Sequence, residues 1–144
     1  MNKIAVIGSI NLDLVATVKK LPAPGETVTD AELNRFPGGK GANQALAARR
    51  LGADVALIAC VGDDAAADEA LVLLREGGVD LSACQVLAGE ATGTALIAVD
   101  PDGENQIGAD GRIGPEVIVP LEVDARFRVH KCSARDGVLG FPLE

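Results

Sequence analysis

Polar residues that could bind a small molecule lie beside a glycine-rich stretch in the first half of the chain. In "FPGGKGANQALAARRLG" the glycines Gly38, Gly39 and Gly41 precede an alanine-rich segment. Lys40 and Asn43 lie where that segment begins. Backbone N–H groups at a helix start, with a cation and an amide beside them, can bind hydroxyl groups or an anion. Lysine and asparagine together offer the donors and the acceptor that match a polyol. A glycine-rich turn with surface side chains is the alternative, and the residue types leave both open.

The glycines do not match two common nucleotide-binding patterns. The Walker phosphate loop has the pattern G-x-x-x-x-G-K-[ST], from which "GGKGAN" departs. The dinucleotide fingerprint G-x-G-x-x-G directly follows the first strand, where this chain has "GSINLD". The remaining interpretation is a glycine hinge that leads into the start of a helix.

The elements that would position these residues alternate between strand and helix. "KIAVIG" and "DVALIACVG" are apolar runs ended by glycine, typical of buried parallel strands, and "ACQVLA" suits a third. The residues from Ala42 to Leu51 predict a helix that ends at Gly52. A second helix is expected after Asp63 or Asp64, ended by the next glycine pair. This order predicts an open α/β sheet with right-handed crossovers.

Two segments break the alternation and predict pairs of antiparallel strands. From Ile10 to Val18 apolar residues recur with period two, so Asn11 and Asp13 should lie on one face of a strand. The turn "LPAPGE" then leads back into a weaker strand, "TVTDAELNRF". Asp100–Gly103 has the Pro and Gly of a type I turn between two further strands. We therefore expect a small sheet beside the main one.

Length and composition limit the class of protein. The chain has 144 residues, which suits one domain with its own core. Apolar residues make up 48% and aromatic residues 2%, which excludes a disordered protein and predicts an aliphatic core. The net charge of −8 argues against a nucleic-acid partner, because phosphate contacts need a basic face.

Cysteine spacing and hydropathy bear on the compartment. Cys60, Cys84 and Cys132 are odd in number and far apart, which argues against a disulfide framework or a zinc site. The chain starts without the apolar region of a signal peptide and has no apolar run long enough to cross a membrane. We therefore expect a soluble cytoplasmic protein without membrane partners.

The glycine-rich stretch belongs to a longer pattern. "GGKGANQA" is followed by six residues, Gly52, nine residues and Gly62. This spacing resembles the first signature of the ribokinase (PfkB-type) family of carbohydrate kinases. "GSINLDLV", "PAPGETV", "GDD" and "TGTALIAVDPDGENQI" are similar to the ribokinase branch of that family. The similarity runs without a gap from about residue 3 to Ile107.

The resemblance implies a fold and a division of the chain. The expected fold is α/β, a Rossmann-like ribokinase-type parallel sheet flanked by helices, with a small antiparallel β-lid and truncated relative to the full family fold. Residues 1–110 would form the body with its lid, whose strands lie at about residues 10–36 and 94–107. Residues 111–144 match the family poorly and are expected to form a divergent segment.

The resemblance also implies a sugar site, with ribose as the expected ligand. Gly38 and Gly39 resemble the hinge at which the lid closes, and the hairpin around Ala95 and Ile97 would line the ribose pocket. A charged carboxylate such as that of Asp13 accepts two hydroxyl hydrogen bonds. Lids of this kind often pair, so a homo-oligomer through the lid or an exposed sheet edge is expected. The substrate-binding residues implied are Asn11, Asp13, Gly38, Gly39, Lys40, Asn43, Ala95 and Ile97.

The family's catalytic half has no convincing counterpart in this chain. Its motif D-T-x-G-A-G-D is absent, and the nearest stretch, "GADG", lacks the preceding Asp-Thr and is followed by Pro115. Asp110 is therefore not assigned as a base, and no catalytic, cofactor-binding or metal-binding residue is predicted. ATP and Mg²⁺ are expected for the full family enzyme and neither for this chain alone.

Three hypotheses about function remain at this point. The chain is the sugar-binding half of a kinase whose family phosphorylates ribose with ATP, and it lacks turnover by itself. Alternatively it is a non-catalytic sugar-binding or self-assembling fragment made from that fold. The third possibility is a structural fragment that binds no ligand.

Overall fold

The computed structural model describes residues 3–110 and 128–129, which form two β-sheets and two helices. The predicted alternation of strands and helices is confirmed. In chain order the elements are β1 (Lys3–Ile7), β2 (Asn11–Thr17), β3 (Glu32–Gly38), α1 (Lys40–Arg50), β4 (Asp54–Gly62), α2 (Ala65–Glu76), β5 (Cys84–Leu87), β6 (Gly93–Val99), β7 (Asn105–Asp110) and β8 (Arg128–Val129).

The first sheet is parallel and has the strand order β5-β4-β1-β8. Its central strand β4 is apolar on both faces, as expected, and Val55, Leu57 and Val61 are almost fully buried. These side chains form one core with the inward-facing residues of α1 and α2, including Ala45 and Leu74. Burial of such aliphatic side chains is the main source of stability in a chain with so few aromatic residues.

The short strand β8 is a feature that the sequence does not predict. Arg128–Val129 pairs in parallel with Ile4 and Ala5 of β1, at the edge of the first sheet. The sequence around it has no period-two pattern, so pairing with a neighbour decides the strand. Apart from β8, the predicted divergent segment 111–144 lies outside the described residues.

The second sheet has the strand order β3-β2-β6-β7 and stands at the position of the predicted lid. Both expected antiparallel pairs are present, β2 with β3 and β6 with β7. The two inner strands, β2 and β6, run parallel, so the sheet as a whole is mixed. The reason is topological. The chain passes through α1, β4, α2 and β5 before β6, and re-enters the sheet in the direction of β2.

Helix α2 follows its sequence signals closely. Its N-cap is Asp64, whose carboxylate accepts a hydrogen bond from the Ala67 N–H, and it ends at Gly77 and Gly78. The buried face of this helix consists of Ala67, Ala70, Leu71 and Leu74. Helix α1 begins at Lys40, two residues before the predicted start at Ala42, because Gly39 supplies its N-cap.

Candidate functional site

The polar residues that the sequence singles out come together where β2, β3 and α1 meet. Asn11 pairs in register with Gly38, the last residue of β3. The chain then passes through Gly39 directly into α1, so Lys40 lies beside the end of that strand pair. Residues far apart in sequence are thus placed at one corner of the second sheet.

The side chains of Asn11 and Asp13 lie on one face of the second sheet, over glycines. A Cβ atom added at Gly38 would overlap the Asp13 carboxylate. A Cβ atom added at Gly93 would lie 2.7 Å from the Asn11 Oδ1 atom. Gly93 pairs in register with Asn11 from the neighbouring strand β6. The predicted common face is therefore confirmed. Gly38 leaves the space that the Asp13 side chain occupies, and Gly93 leaves the space for Asn11.

The backbone at Gly39 has a conformation that favours glycine. Its φ angle is 97°, in the region that residues with a Cβ atom rarely adopt. A Cβ atom there would lie 2.6 Å from the Ser9 carbonyl oxygen and 2.9 Å from the Asn11 nitrogen. Gly41 is equally close to the loop after β1, since its Cβ atom would lie 2.6 Å from the Gly8 carbonyl carbon. These glycines allow the start of α1 to pack closely against the loop after β1 and the start of β2.

This packing bears on whether the glycines could hold ATP. A Cβ atom at Gly39 or Gly41 would meet protein backbone, so close packing explains these two glycines without a phosphate ligand. Within residues 3–110 and 128–129, no group of three or more His, Cys, Asp or Glu side chains could hold a metal ion. None of the described glycines is therefore assigned to ATP, and none of the described side chains is assigned to Mg²⁺. Asp110, at the end of β7, pairs in register with Thr94.

The start of α1 leaves backbone donors without an acceptor in the described part of the chain. Ala42 N–H donates to the Ser9 carbonyl at 3.1 Å, and Asn43 N–H donates to the Gly39 carbonyl at 2.9 Å. No side chain caps this helix, and its first turn carries no acidic residue. The N–H groups of Lys40 and Gly41 donate to no described acceptor. An incoming hydroxyl or anionic oxygen could accept from them.

The charged groups at this corner differ in their exposure. Asp13 is half-buried, and this burial raises the pKa of its carboxyl group above the ordinary value. Neither Asp13 nor Asn11 makes a side-chain hydrogen bond with another described residue. Lys40 and Asn43 are exposed at the start of α1. A partly desolvated carboxylate without a donor is favourably placed to accept hydrogen bonds from ligand hydroxyls.

Ala95 and Ile97 continue the same face of the second sheet along β6. Ala95 pairs in register with Asp13, and Ile97 pairs with Val15. Ala95 is buried and Ile97 is half-buried. They extend an apolar surface next to the Asp13 carboxylate.

A second apolar surface lies on the other side of this sheet. A shallow depression there is lined by apolar side chains that include Leu14, Leu33 and Leu96. Leu33 and Leu96 are 64% and 61% exposed. None of the polar residues at the corner lines this depression, although Ile97 of β6 also borders it.

Sequence reasoning missed the part played by Thr92 and Gly93, and it offered Asp63 or Asp64 only as a helix cap. Thr92 is buried and bonds the Asp64 carboxylate through both its N–H and its hydroxyl group. Both missed residues lie in the "TG" dipeptide, which with the earlier "GDD" belongs to the stretches that resemble the family. Asp64 and Thr92 are 28 positions apart in the chain, so only the fold shows their hydrogen bonds.

No helix within the described residues has the length and apolar character needed to cross a membrane.

Known proteins resemble this chain in sequence and in fold. The sequence model of the pfkB family carbohydrate kinases matches residues 1–113. The ribokinase of Schizosaccharomyces pombe is 39% identical over 155 residues, an alignment that covers 100% of this chain and 47% of that protein. The ribokinase of Bacillus subtilis is 43% identical over 119 residues, with 80% of this chain and 40% of that protein covered.

Solved structures of ribokinases have the same fold. The Cryptococcus neoformans ribokinase in complex with ADP superposes with a TM-score of 0.70 and 35% identity, over 76% of this chain and 35% of that one. The Arabidopsis thaliana ribokinase complexed with ribose and ATP gives a TM-score of 0.67 and 32% identity, over 80% and 37%. The chain thus spans less than half the length of these relatives. With its two sheets, its glycine-bounded corner and a family match over residues 1–113, the chain belongs to the pfkB family of carbohydrate kinases.

Proposed function

We propose that this chain binds ribose at the corner where β2, β3 and α1 meet, as the sugar-binding part of a ribokinase-type protein. The Asp13 carboxylate carries the proposal. It is half-buried, lies over Gly38, and accepts no hydrogen bond from a described side chain or backbone group. A ribokinase with bound ribose and ATP is among the similar structures, which supports the choice of sugar.

Each proposed contact uses a group that is available in the structure. Asp13 accepts hydrogen bonds from two sugar hydroxyls, and Asn11 offers a donor and an acceptor on the same face. The exposed side chains of Lys40 and Asn43, with the free N–H groups at the start of α1, donate to further sugar oxygens. We further propose that Ala95 and Ile97 form the apolar wall.

The same corner also contains the proposed hinge. Gly38 and Gly39 join β3 to α1, and Gly39 has a positive φ angle. A small change in backbone angles at these residues would tilt the second sheet over the sugar and exclude water from it.

The reaction proposed for a protein of the relatives' full length is ATP-dependent phosphorylation of ribose. This chain spans 35% to 47% of the relatives named above. The family's catalytic motif D-T-x-G-A-G-D is absent from the sequence. We therefore expect ribose binding without turnover from the 144-residue chain. The free thiols Cys60 and Cys84 support a reducing compartment, and we propose the cytoplasm.

Calorimetric titration of the whole chain with ribose tests the sugar site. We expect saturable binding, weakened roughly tenfold to a hundredfold by Asp13→Asn, which is the range for losing hydrogen bonds to a charged group. Lys40→Ala should weaken binding less, because its ammonium is exposed. Asp68→Asn is the matched control, because it removes one exposed carboxylate from α2.

Two outcomes would contradict the proposed function. Ribose that neither binds the parent chain nor raises its melting temperature would exclude the sugar site. Ribose-dependent ATP consumption that exceeds that of an Asp13→Ala, Lys40→Ala double variant would show that the chain catalyses the reaction without the missing length.

Self-association is a second proposed property, supported by exposed apolar side chains at two places. Leu33 and Leu96 lie on the second sheet, and Val86 lies on β5, an outer strand of the first sheet. Such surfaces favour association between copies. Sedimentation velocity should show an oligomer that Leu96→Lys dissociates if the second sheet pairs, and that Val86→Lys dissociates if the β5 edge pairs. A parent chain that sediments as a monomer at all concentrations would exclude both.

A further inference from the structure

A cluster of hydrogen bonds joins the second sheet to the body of the protein. The Asp64 Oδ1 atom accepts from the Thr92 hydroxyl at 2.6 Å and from the Ala67 N–H at 3.0 Å. Its Oδ2 atom accepts from the Thr92 N–H at 2.9 Å. The Thr92 hydroxyl oxygen in turn accepts from the Gly62 N–H at 3.0 Å. One carboxylate and one hydroxyl thus join the end of β4, the start of α2 and the residue before β6.

The backbone around this cluster is closely packed. Thr92 is only 4% exposed. A Cβ atom at Gly62 would overlap the Glu90 carbonyl oxygen and would lie 2.6 Å from the Thr92 nitrogen. The segment before β6 therefore lies directly on the end of β4. The bond from Gly62 to the Thr92 hydroxyl is buried and the bond from that hydroxyl to Asp64 is partly buried, so the position of Thr92 is well defined.

The residue after Thr92 connects the cluster to the proposed sugar site. Gly93 pairs in register with Asn11 and lies beneath the Asn11 Oδ1 atom. Two residues further along β6, Ala95 pairs with Asp13. Any shift of the start of β6 would therefore move the surface on which the Asn11 side chain rests.

We propose that Thr92, held by Asp64, is a positioning residue that fixes the start of β6 against the body and thereby sets the place of the Asn11 side chain. The consequence for ribose rests on the proposed function, whereas the anchoring of β6 does not. The hydrogen bonds from Thr92 lower the pKa of the Asp64 carboxyl group, so the carboxylate stays charged and retains its bonds at neutral pH.

The test compares Thr92→Val, which removes the hydroxyl group at nearly constant volume, with Thr92→Ser, which keeps it. Thr17→Val is the matched control, because Thr17 lies exposed at the far end of β2. Ribose affinity is measured by calorimetry on the whole chain. Amide hydrogen exchange is measured in β2 and β6, and in β1 and β4 as the reference. Asp64→Asn serves as a second variant, because asparagine still caps α2 but cannot accept both Thr92 bonds.

The expected result is local. Thr92→Val should weaken ribose binding about fivefold or more, which is the usual lower range of coupling between a site and a distant contact. Exchange should be faster in β2 and β6 and at Gly62, whose N–H loses its acceptor, and unchanged in β1 and in residues 54–61 of β4. Thr92→Ser and Thr17→Val should behave like the parent chain, and Asp64→Asn like Thr92→Val.

Other results would overturn the proposal. Parent-like affinity and exchange in Thr92→Val would show that the hydroxyl positions nothing. Faster exchange in all four strands alike would show a contribution to global stability only. If the parent chain binds no ribose, the proposed function fails. The exchange comparison between β6 and β4 then still decides whether Thr92 anchors the second sheet.

Discussion

The two helix starts of this protein use opposite arrangements. Helix α2 begins with Asp64, whose carboxylate is fully engaged by Ala67 and Thr92. Helix α1 begins with Gly39, has no side-chain cap, and leaves the N–H groups of two residues without a described acceptor. Both helices follow a strand that ends in glycine. The N–H groups of Ala65 and Ala66 at the start of α2 have no described acceptor either. The difference lies in the side-chain cap, which α2 has and α1 lacks.

The comparison has a physical basis in the cost of unsatisfied donors. We call the capped start of α2 the closed start, because its Asp64 carboxylate already accepts hydrogen bonds from Ala67 and Thr92. A helix start left open gives up about 1 kcal/mol of capping energy and gains a place to bind oxygen atoms. In this chain the closed start holds the second sheet in place, and the open start lies beside Asp13 and Asn11.

The largest effect is expected from Gly39→Ala at the open start. Alanine would have to adopt a φ angle of 97° and would place its Cβ atom 2.6 Å from the Ser9 carbonyl oxygen. We expect the free energy of unfolding to fall by about 3 kcal/mol. Urea denaturation measures it. Gly25→Ala is the control, because Gly25 has a φ angle of 82° with open space around it, and should cost about 1 kcal/mol. Equal losses in the two variants would show that close packing at α1 does not matter.

A smaller loss is expected when the closed start is opened by Asp64→Ala. The variant removes the helix cap and leaves Thr92 without its acceptor, so the free energy of unfolding should fall by about 2 kcal/mol at neutral pH. The pKa of Asp64 is lowered in the folded state, so its contribution is present above the unfolded pKa and disappears as the pH falls through the folded pKa. The difference between parent and variant should therefore narrow below about pH 4. A difference that is constant with pH would contradict the role of the charged carboxylate.

Asp13→Asn should raise stability, whereas Asp64→Ala lowers it, and the two effects should depend on pH in opposite ways. Burial raises the pKa of Asp13, so the folded state binds the proton more tightly, and the parent loses stability as the pH rises through that pKa. Asparagine avoids this loss, and we expect its melting temperature to exceed that of the parent by about 2 °C near neutral pH. The gain should vanish in acid. Thermal melts at several pH values measure it, and a variant less stable than the parent at neutral pH would show that the charged form is stabilised by the protein.

The smallest effect is expected at a surface ion pair between β3 and α2. Arg35 and Glu69 form a two-point ion pair at 2.8 and 2.9 Å, but both side chains are about half exposed. Glu69→Gln should change the free energy of unfolding by less than about 1 kcal/mol, and less still in high salt. Hydrogen exchange in β3 should stay close to that of the parent. A loss as large as that of Asp64→Ala would show that the surface ion pair, rather than the Thr92 cluster, holds the second sheet.

Much of the fold follows from local patterns in the sequence. The period-two alternation predicts β2 and the common face of Asn11 and Asp13, which the structure confirms. The apolar runs predict the parallel strands. Asp63 or Asp64, with the glycines after Glu76, predicts the limits of α2, and the structure shows that Asp64 is the cap. These elements are predictable because their signals lie within a few residues of one another. The parallel pairing of β2 with β6 is not, because it depends on how the chain returns after four intervening elements.

The candidate site likewise has one part that the sequence predicts and another that only the fold shows. Residue types and the family signature single out Lys40 and Asn43, and local periodicity places Asn11 beside Asp13. By itself the sequence thus determines the polar groups, the glycines and the family. Only the tertiary structure shows that Gly38 and Gly93 make room for those side chains, and that Thr92 bonds Asp64 across 28 positions. Such contacts join segments far apart in the chain, and their partners are set by the packing of whole elements rather than by any local pattern.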